Sequence, residues 1–265
     1  MTKEKTILKK KDLIFILVWP IAAAILSLLI KANILVSIIL FMAIPSVYLS
    51  IINRYAIKKA ALFSIALSFP IGIIADHVME QTGGWFLPYS AFGSFRILNF
   101  VTIEQIIWLF FYLYFIIMFY ETFLEKECTC QPYLSKFKPL ILISYAFLGL
   151  FVIFHFLKPE LLKINYFYLK FGVIAVLIPV TLMLLKVPSL YAKLIRAGAY
   201  FFYFSFIYEI TALRLGQWSF PAENQLIGYI SLFGFRFPYE ELIFWIILGG
   251  IATLVYYEFF DDDLS

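Results

Sequence analysis

Apolar residues come in long runs along this chain, without the strict polar–apolar alternation of strands, and each run can span a hydrocarbon core that needs about 20 helical residues. Eight runs stand out, at 13–30, 33–52, 60–75, 104–124, 139–157, 166–185, 197–213 and 241–258. Strands are not expected, because period-two alternation is missing. The basic start MTKEKTILKKK precedes the run Leu13 to Ile30. That run exceeds the ~7–15-residue core of a signal peptide and lacks a small-x-small cleavage site, so it is read as a first transmembrane helix.

Composition agrees with a membrane protein. The chain is 63% hydrophobic and 14% charged, with a mean hydropathy of +0.93. Soluble domains hold about 45–50% apolar and ~25% charged residues, so a soluble enzyme, a disordered chain and a secreted disulfide scaffold are excluded. Cys128 and Cys130 are too close for an easy bridge and lack the second pair of a zinc site, so they are read as reduced and incidental. The net charge of +4 does not point to nucleic acid, because the lysines flank apolar runs, where they report topology. With the N-terminus inside, only Lys31, Arg96, Lys158, Lys163, Lys170, Arg214 and Arg236 fall outside. This predicts a multi-pass protein of the cell membrane with both termini cytoplasmic.

The two longest loops, 76–103 and 214–240, both fall on the external side and are copies of each other. Asp76-His-Val-Met-Glu-Gln-Thr-Gly-Gly-Trp85-Phe-Leu-Pro88 aligns without a gap on Glu209-Ile-Thr-Ala-Leu-Arg-Leu-Gly-Gln-Trp218-Ser-Phe-Pro221. After a three-residue shift, Thr102-Ile-Glu104-Gln105-Ile aligns on Pro238-Tyr-Glu240-Glu241-Leu. Tyr120 and Glu125-Lys-Glu127 then meet Tyr256 and Asp261-Asp262-Asp263, and Pro45 lies close to the register of Pro179. The expected fold is all-α: a polytopic bundle of about eight transmembrane helices in a tandem 4+4 repeat, 1–130 and 131–265. An even number of spans gives both halves one orientation and a pseudo-two-fold axis along the membrane normal, so the copied loops face each other over a shared cavity.

Five carboxylates fall near the outer boundary or just within it. Only twelve residues separate Arg196 from Glu209. They make about 18 Å of helix against a core of ~30 Å, which places Glu209 inside the membrane unless Arg196 snorkels. Glu240 and Glu241 open the eighth run, and Asp76 and Glu104 hold the matching places in the first half. Such acids also suit a helix first turn or a pairing with Arg96, Arg214 or Arg236. Duplication at matching positions, and the cost of an intramembrane carboxylate of some ~2.5–3.5 kcal/mol, favour function. A carboxyl held out of water can keep its proton near neutral pH and serve as a general acid. Around these positions stand Trp85, Trp218, Phe86, Phe220, Phe235, Phe237 and Tyr239, whose ring faces suit a developing cation. Trp and Tyr also form interfacial belts in membrane proteins, and only Trp85 and Trp218 share one spacing from an acid.

Other chemistries lack their residues. The chain has no GxGxxG or GxxxxGK[ST] stretch, and its only histidines, His77 and His155, lie in different segments, so no metal site or cofactor is expected. His77 beside Asp76 and Glu80 suggests a proton relay, yet Ile210 stands at its counterpart. The seventh run has no lysine for a Schiff base, and the Asp261-Asp262-Asp263 tail is read as solvated acid.

The segment Glu209-x-x-Ala212-x-x-x-Gly216-x-Trp218-x-Phe220, then Gly228, then Phe237-Pro238-Tyr239-Glu240-Glu241-Leu-x-Phe244, resembles the lycopene cyclase domain of carotenoid biosynthesis. The duplicated motifs cover about 76–106 and 209–244 and resemble the tandem, fused form of that family. Thr102 and Gln105 depart from its Pro-x-Glu-Glu pattern in the first copy, and Glu209 replaces the more usual aspartate. The resemblance implies a cofactor-free isomerase that cyclises the end group of a linear carotenoid such as lycopene, in the bilayer, with other enzymes of that pathway as partners. It implies Glu240 or Glu241 as the acid, with Glu104 its counterpart, and Asp76 and Glu209 as bases or partners. Trp85 and Trp218 would shield the cation, with Phe86, Gln105, Phe220, Phe237 and Tyr239 around the substrate. Adjacent helix positions point about 100° apart, so only one glutamate of a pair faces the cavity. A small secondary transporter of two parallel repeats is the alternative, and it calls for matched helix breaks near Pro45 and Pro179.

Overall fold

A computed structural model describes residues 10–125 and 134–260. Cys128, Cys130, Glu127 and the Asp261-Asp262-Asp263 tail lie outside the described residues. Those described form an all-helical bundle: α1 (Lys10–Leu29), α2 (Ile34–Ile52), α3 (Ile57–Thr82), α4 (Ile103–Leu124), α5 (Leu134–Leu157), α6 (Phe167–Lys186), α7 (Tyr191–Arg214) and α8, a bent rod over 241–260. Six of these are long and apolar enough to cross a membrane, and the bent rod makes a seventh. The remaining helix, α7, has the length at 24 residues but is less apolar. Large apolar side chains face outward along the bundle, among them Leu29, Leu157, Ile174 and Leu185.

Two expectations need correction. The third helix does not stop at residue 75 but continues to Thr82, because Asp76, His77 and Met79 turn inward and are buried instead of entering a loop. The second long loop also holds a hairpin, β1 (Tyr229–Leu232) paired antiparallel with β2 (Phe235–Pro238). Its turn places Phe233 and Gly234 at φ 52° and 81°, the two left-handed positions of a type I′ turn, a local signal that span-length periodicity misses.

α2 and α6 are built alike. Each opens with five α-helical residues, passes through a π-helical segment, Ile39–Ala43 or Gly172–Leu177, and resumes as a nine-residue helix with Pro45 or Pro179 at its second position. Proline lacks the donor that a regular ladder needs, and the widened turn absorbs the mismatch.

Helices distant in sequence pack on one another. α1 lies on α7, where the Tyr200 and Tyr203 hydroxyls donate to the carbonyls of Ile16 and Leu17 at 3.1 and 2.9 Å. Likewise α5 lies on α3, with Ser144 Oγ donating to the Ala66 carbonyl at 3.5 Å. α4 and α8 run side by side through the centre, with the Trp108 and Trp245 rings 4.4 Å apart. α8 bends by 53° at its break, and a Cβ on Gly249 would stand 2.8 Å from the Tyr112 hydroxyl, so this close approach needs glycine. At the end away from the long loops, Tyr120 of α4 donates to Glu258 of α8, and Tyr257 of α8 donates to Glu121 of α4.

Candidate active site

α3 and α7 end in the same way. Gly83 and Gly216 are left-handed, at φ 73° and 64°, and the next two N–H groups of each turn fold back on the helix. Gly83 N and Gly84 N bond to the carbonyls of Glu80 and Met79, and Gly216 N and Gln217 N bond to those of Leu213 and Ala212. This helix-stopping motif requires a residue without a Cβ penalty. It delivers Trp85 and Trp218 to matching places over the bundle. One residue further, Phe86 and Ser219 exchange two backbone hydrogen bonds at 2.8 and 3.0 Å, so the copied loops meet at their own equivalent positions.

Beneath that bridge is a small chamber of about 40 Å³, lined by Asp76, Trp85, Gln105, Trp108, Trp218, Glu241 and Trp245 together with Ile34 and Leu87. Asp76, Trp85, Trp108 and Trp245 also line a second, larger cavity of about 320 Å³. The larger cavity lies between α3 and α4 on one side and α6 and α8 on the other, with almost wholly apolar and aromatic walls. From Phe63 to Met79 it follows α3 for roughly 24 Å at about 1.5 Å per residue. Asp76 is thus the carboxyl common to the small chamber and the long apolar slot.

Glu209 stands beside Glu241 at the chamber wall, near enough for the two carboxyl groups to act on each other. Two such carboxyls can hydrogen-bond only if one carries a proton, since two carboxylates offer only acceptors. Trp218 Nε1 donates to Glu209 Oε1 at 3.0 Å, and the Tyr168 hydroxyl donates to Glu241 Oε2 at 2.8 Å. Glu209, Glu241 and Tyr168 are all buried. No lysine or arginine acts on Asp76, Glu209 or Glu241 among the described residues. Among the described residues the Asp76 carboxyl accepts no hydrogen bond and the buried Trp85 Nε1 finds no acceptor.

The structure separates the adjacent acids. Glu240 takes the Ile227 N–H at 2.7 Å, and Glu104 takes the Ala91 N–H and the Ser90 hydroxyl, the latter at 2.9 Å. Both fasten the backbone of the preceding loop and face neither cavity. The next residues, Glu241 and Gln105, turn to the chamber; Gln105 is held by a capping box with Thr102. Phe86 is half-exposed at the loop bridge, Phe237 is buried in the hairpin, and Tyr239 is exposed. Phe220 lies against Tyr229, whose hydroxyl donates to its carbonyl at 3.2 Å. None of these four lines the chamber or the slot.

Sequence reasoning missed the aromatic residues that do, chiefly Tyr168, Trp108, Tyr112, Phe244 and Trp245. A signal was present: Trp108 and Trp245 follow Gln105 and Glu241 at three- and four-residue spacing, one face of a helix. His77 packs edge-to-face against Phe100, Phe151 and His155, away from both cavities. Glu80 pairs with Arg96 at 3.6 Å. Among the described residues no three His, Cys, Asp or Glu side chains gather so as to hold a metal ion. No family model matches the chain, and no curated protein or solved structure matches it either.

Proposed function

We propose that this chain is a membrane-integral, cofactor-free cyclase acting on the end group of a linear carotenoid such as lycopene. One observation carries the reading: Asp76, buried without a cation, stands at the head of a long slot walled by aromatic rings, with Glu241 across the adjoining chamber and Glu209 beside it. An alkene is a weak base with no leaving group, so the reaction needs a dry acid and a surface that tolerates a carbocation.

The proton shared by Glu209 and Glu241 adds to the terminal double bond. The tertiary cation that results is attacked by the neighbouring double bond, which closes a ring and moves the charge. Asp76, accepting from no donor of its own, removes a proton and restores a double bond. One proton enters and one leaves, so the product is an isomer of the substrate. The faces of Trp85, Trp108 and Trp245 meet the passing charge. Tyr168 and Trp218 fix the two glutamates.

In this reading the chain is a tandem of four-helix repeats, 1–130 and 131–265, in one orientation within the cell membrane, with both termini cytoplasmic. The reciprocal α1–α7 and α5–α3 contacts, the like-built α2 and α6 and the Phe86–Ser219 bridge support the repeat. The flanking lysines support the orientation. The bilayer supplies the substrate sideways, and other carotenoid-pathway enzymes exchange substrate and product with it.

A small secondary transporter is the second reading, favoured by the 53° break in α8 and the π-helical segments beside Pro45 and Pro179. Against it, α4 passes the position of that break as continuous α-helix, and the slot offers a polar solute few groups to bind. Pigments extracted from lycopene-accumulating cells with and without the protein decide between the two. A product of unchanged mass and shifted absorption is expected; untouched lycopene with the protein present in the membrane would contradict the cyclase.

A further inference from the structure

A two-fold relation between the halves generates two equivalent spaces, one between α3 and α6 and its twin between α7 and α2. They are not alike. Counted from Asp76 and Glu209, Ala75 corresponds to Tyr208, Gly72 to Ser205 and Ile71 to Phe204. Counted from Pro179 and Pro45, Ala175 corresponds to Phe41. The smaller member of each pair lines the slot. Their larger counterparts are completely buried and close the twin except where Ile34 and Trp218 line the small chamber, with the Phe41 ring 4.9 Å from Tyr208 and 6.1 Å from Phe204, both edge-on.

The polar groups follow the same division. In the filled space Trp218 Nε1 is tied to Glu209 at 3.0 Å. On the open side the matching pair, Trp85 and Asp76, are not bonded to each other, and both face the slot. Gln105 stands where the other half has Glu241, so the first half lacks the second carboxyl as well.

We infer that the protein holds one site for an elongated apolar polyene where its two-fold plan provides for two, the twin being plugged by its own aromatic side chains, and that a two-ended substrate is processed one end per visit. This rests on the cyclase reading for the identity of the ligand; the count of sites rests on the packing. Asp76 sits at one end of the slot, where it joins the chamber of Glu241, and from Phe63 to Leu67 and Tyr256 the other end is apolar and aromatic, fit for the unreacted tail.

The test uses the full chain purified from lycopene-making cells, with pigment per chain read by absorbance. One lycopene per chain at saturation is expected. Ala175→Phe and Ala75→Phe, which copy the plug from opposite walls, should each cut bound pigment at least tenfold, whereas Phe41→Ala should leave it unchanged. In turnover, a chase of excess unlabelled lycopene should leave the label in product with one new ring. Two pigments per chain, no pigment on the unaltered protein, pigment retained by both plug variants, or labelled product with two rings despite the chase would overturn the inference. Stoichiometric binding with no cyclised product would sink the cyclase reading and leave the single site standing.

Discussion

Both ends of the bundle bury carboxyls, but Asp76, Glu209 and Glu241 at the loop end are treated unlike those at the other end, and unlike Glu80 with its Arg96. Away from the long loops, Glu121 receives Lys59 at 3.1 Å and the Tyr257 hydroxyl, Glu125 receives Lys193 at 2.7 Å, Glu258 receives Tyr120, and Asp12 receives Tyr48 at 2.7 Å. Lys59 and Lys193 also lie over the Tyr257 and Tyr120 rings, at 5.3 and 5.6 Å. At the loop end, Asp76, Glu209 and Glu241 have no cation, and Asp76 has no donor at all among the described residues. Satisfied polar networks hold helices in register, whereas a carboxyl buried without compensation persists where it has a task. On the cyclase reading proposed above, the difference gives structure to one end and chemistry to the other.

Breaking either end sharpens the contrast. The largest effect is expected from Glu241→Gln, which removes the acid while keeping the volume: cyclisation should fall by roughly 10²–10⁴-fold, the range for a general acid, with no change in the yield of folded protein. Lys59→Met should act on the other axis. It leaves Glu121 buried without its cation, at a cost of about 3–5 kcal/mol read from thermal unfolding in detergent, while activity per folded molecule holds. Loss of activity without loss of stability in that variant would dissolve the comparison. Tyr168→Phe deletes one hydrogen bond to Glu241 and should slow turnover about tenfold with little change in stability. Smallest is Glu240→Gln, which keeps an acceptor for the Ile227 N–H; a loss of about 1 kcal/mol in stability and near-normal activity are expected.

Much of the helical architecture was legible because it depends on run length. Every expected span has a helix over it, and the alignment of Trp85 with Trp218 carries through to matching helix stops at Gly83 and Gly216. The third helix ran past its expected end because Asp76, His77 and Glu80 read as loop residues by polarity alone. Which of two adjacent glutamates faces inward was not legible, since a 100° step needs the helix phase, and the structure gives the chamber to Glu241 and the loop to Glu240. Tyr168 was invisible for another reason. It lies 73 positions from Glu241, in a helix whose sequence shows only apolar character, and tertiary packing alone brings them together.

The central claim is that a carboxyl of the protein starts the reaction by protonating a carbon of the substrate. Turnover of lycopene in deuterated water tests it most directly, with the ring carbons of the product examined by mass spectrometry and magnetic resonance. The account predicts one deuterium incorporated for each ring closed, and none of that product from Glu241→Gln. Ring formation without deuterium, or with the Glu241→Gln variant as fast as the parent, would contradict it.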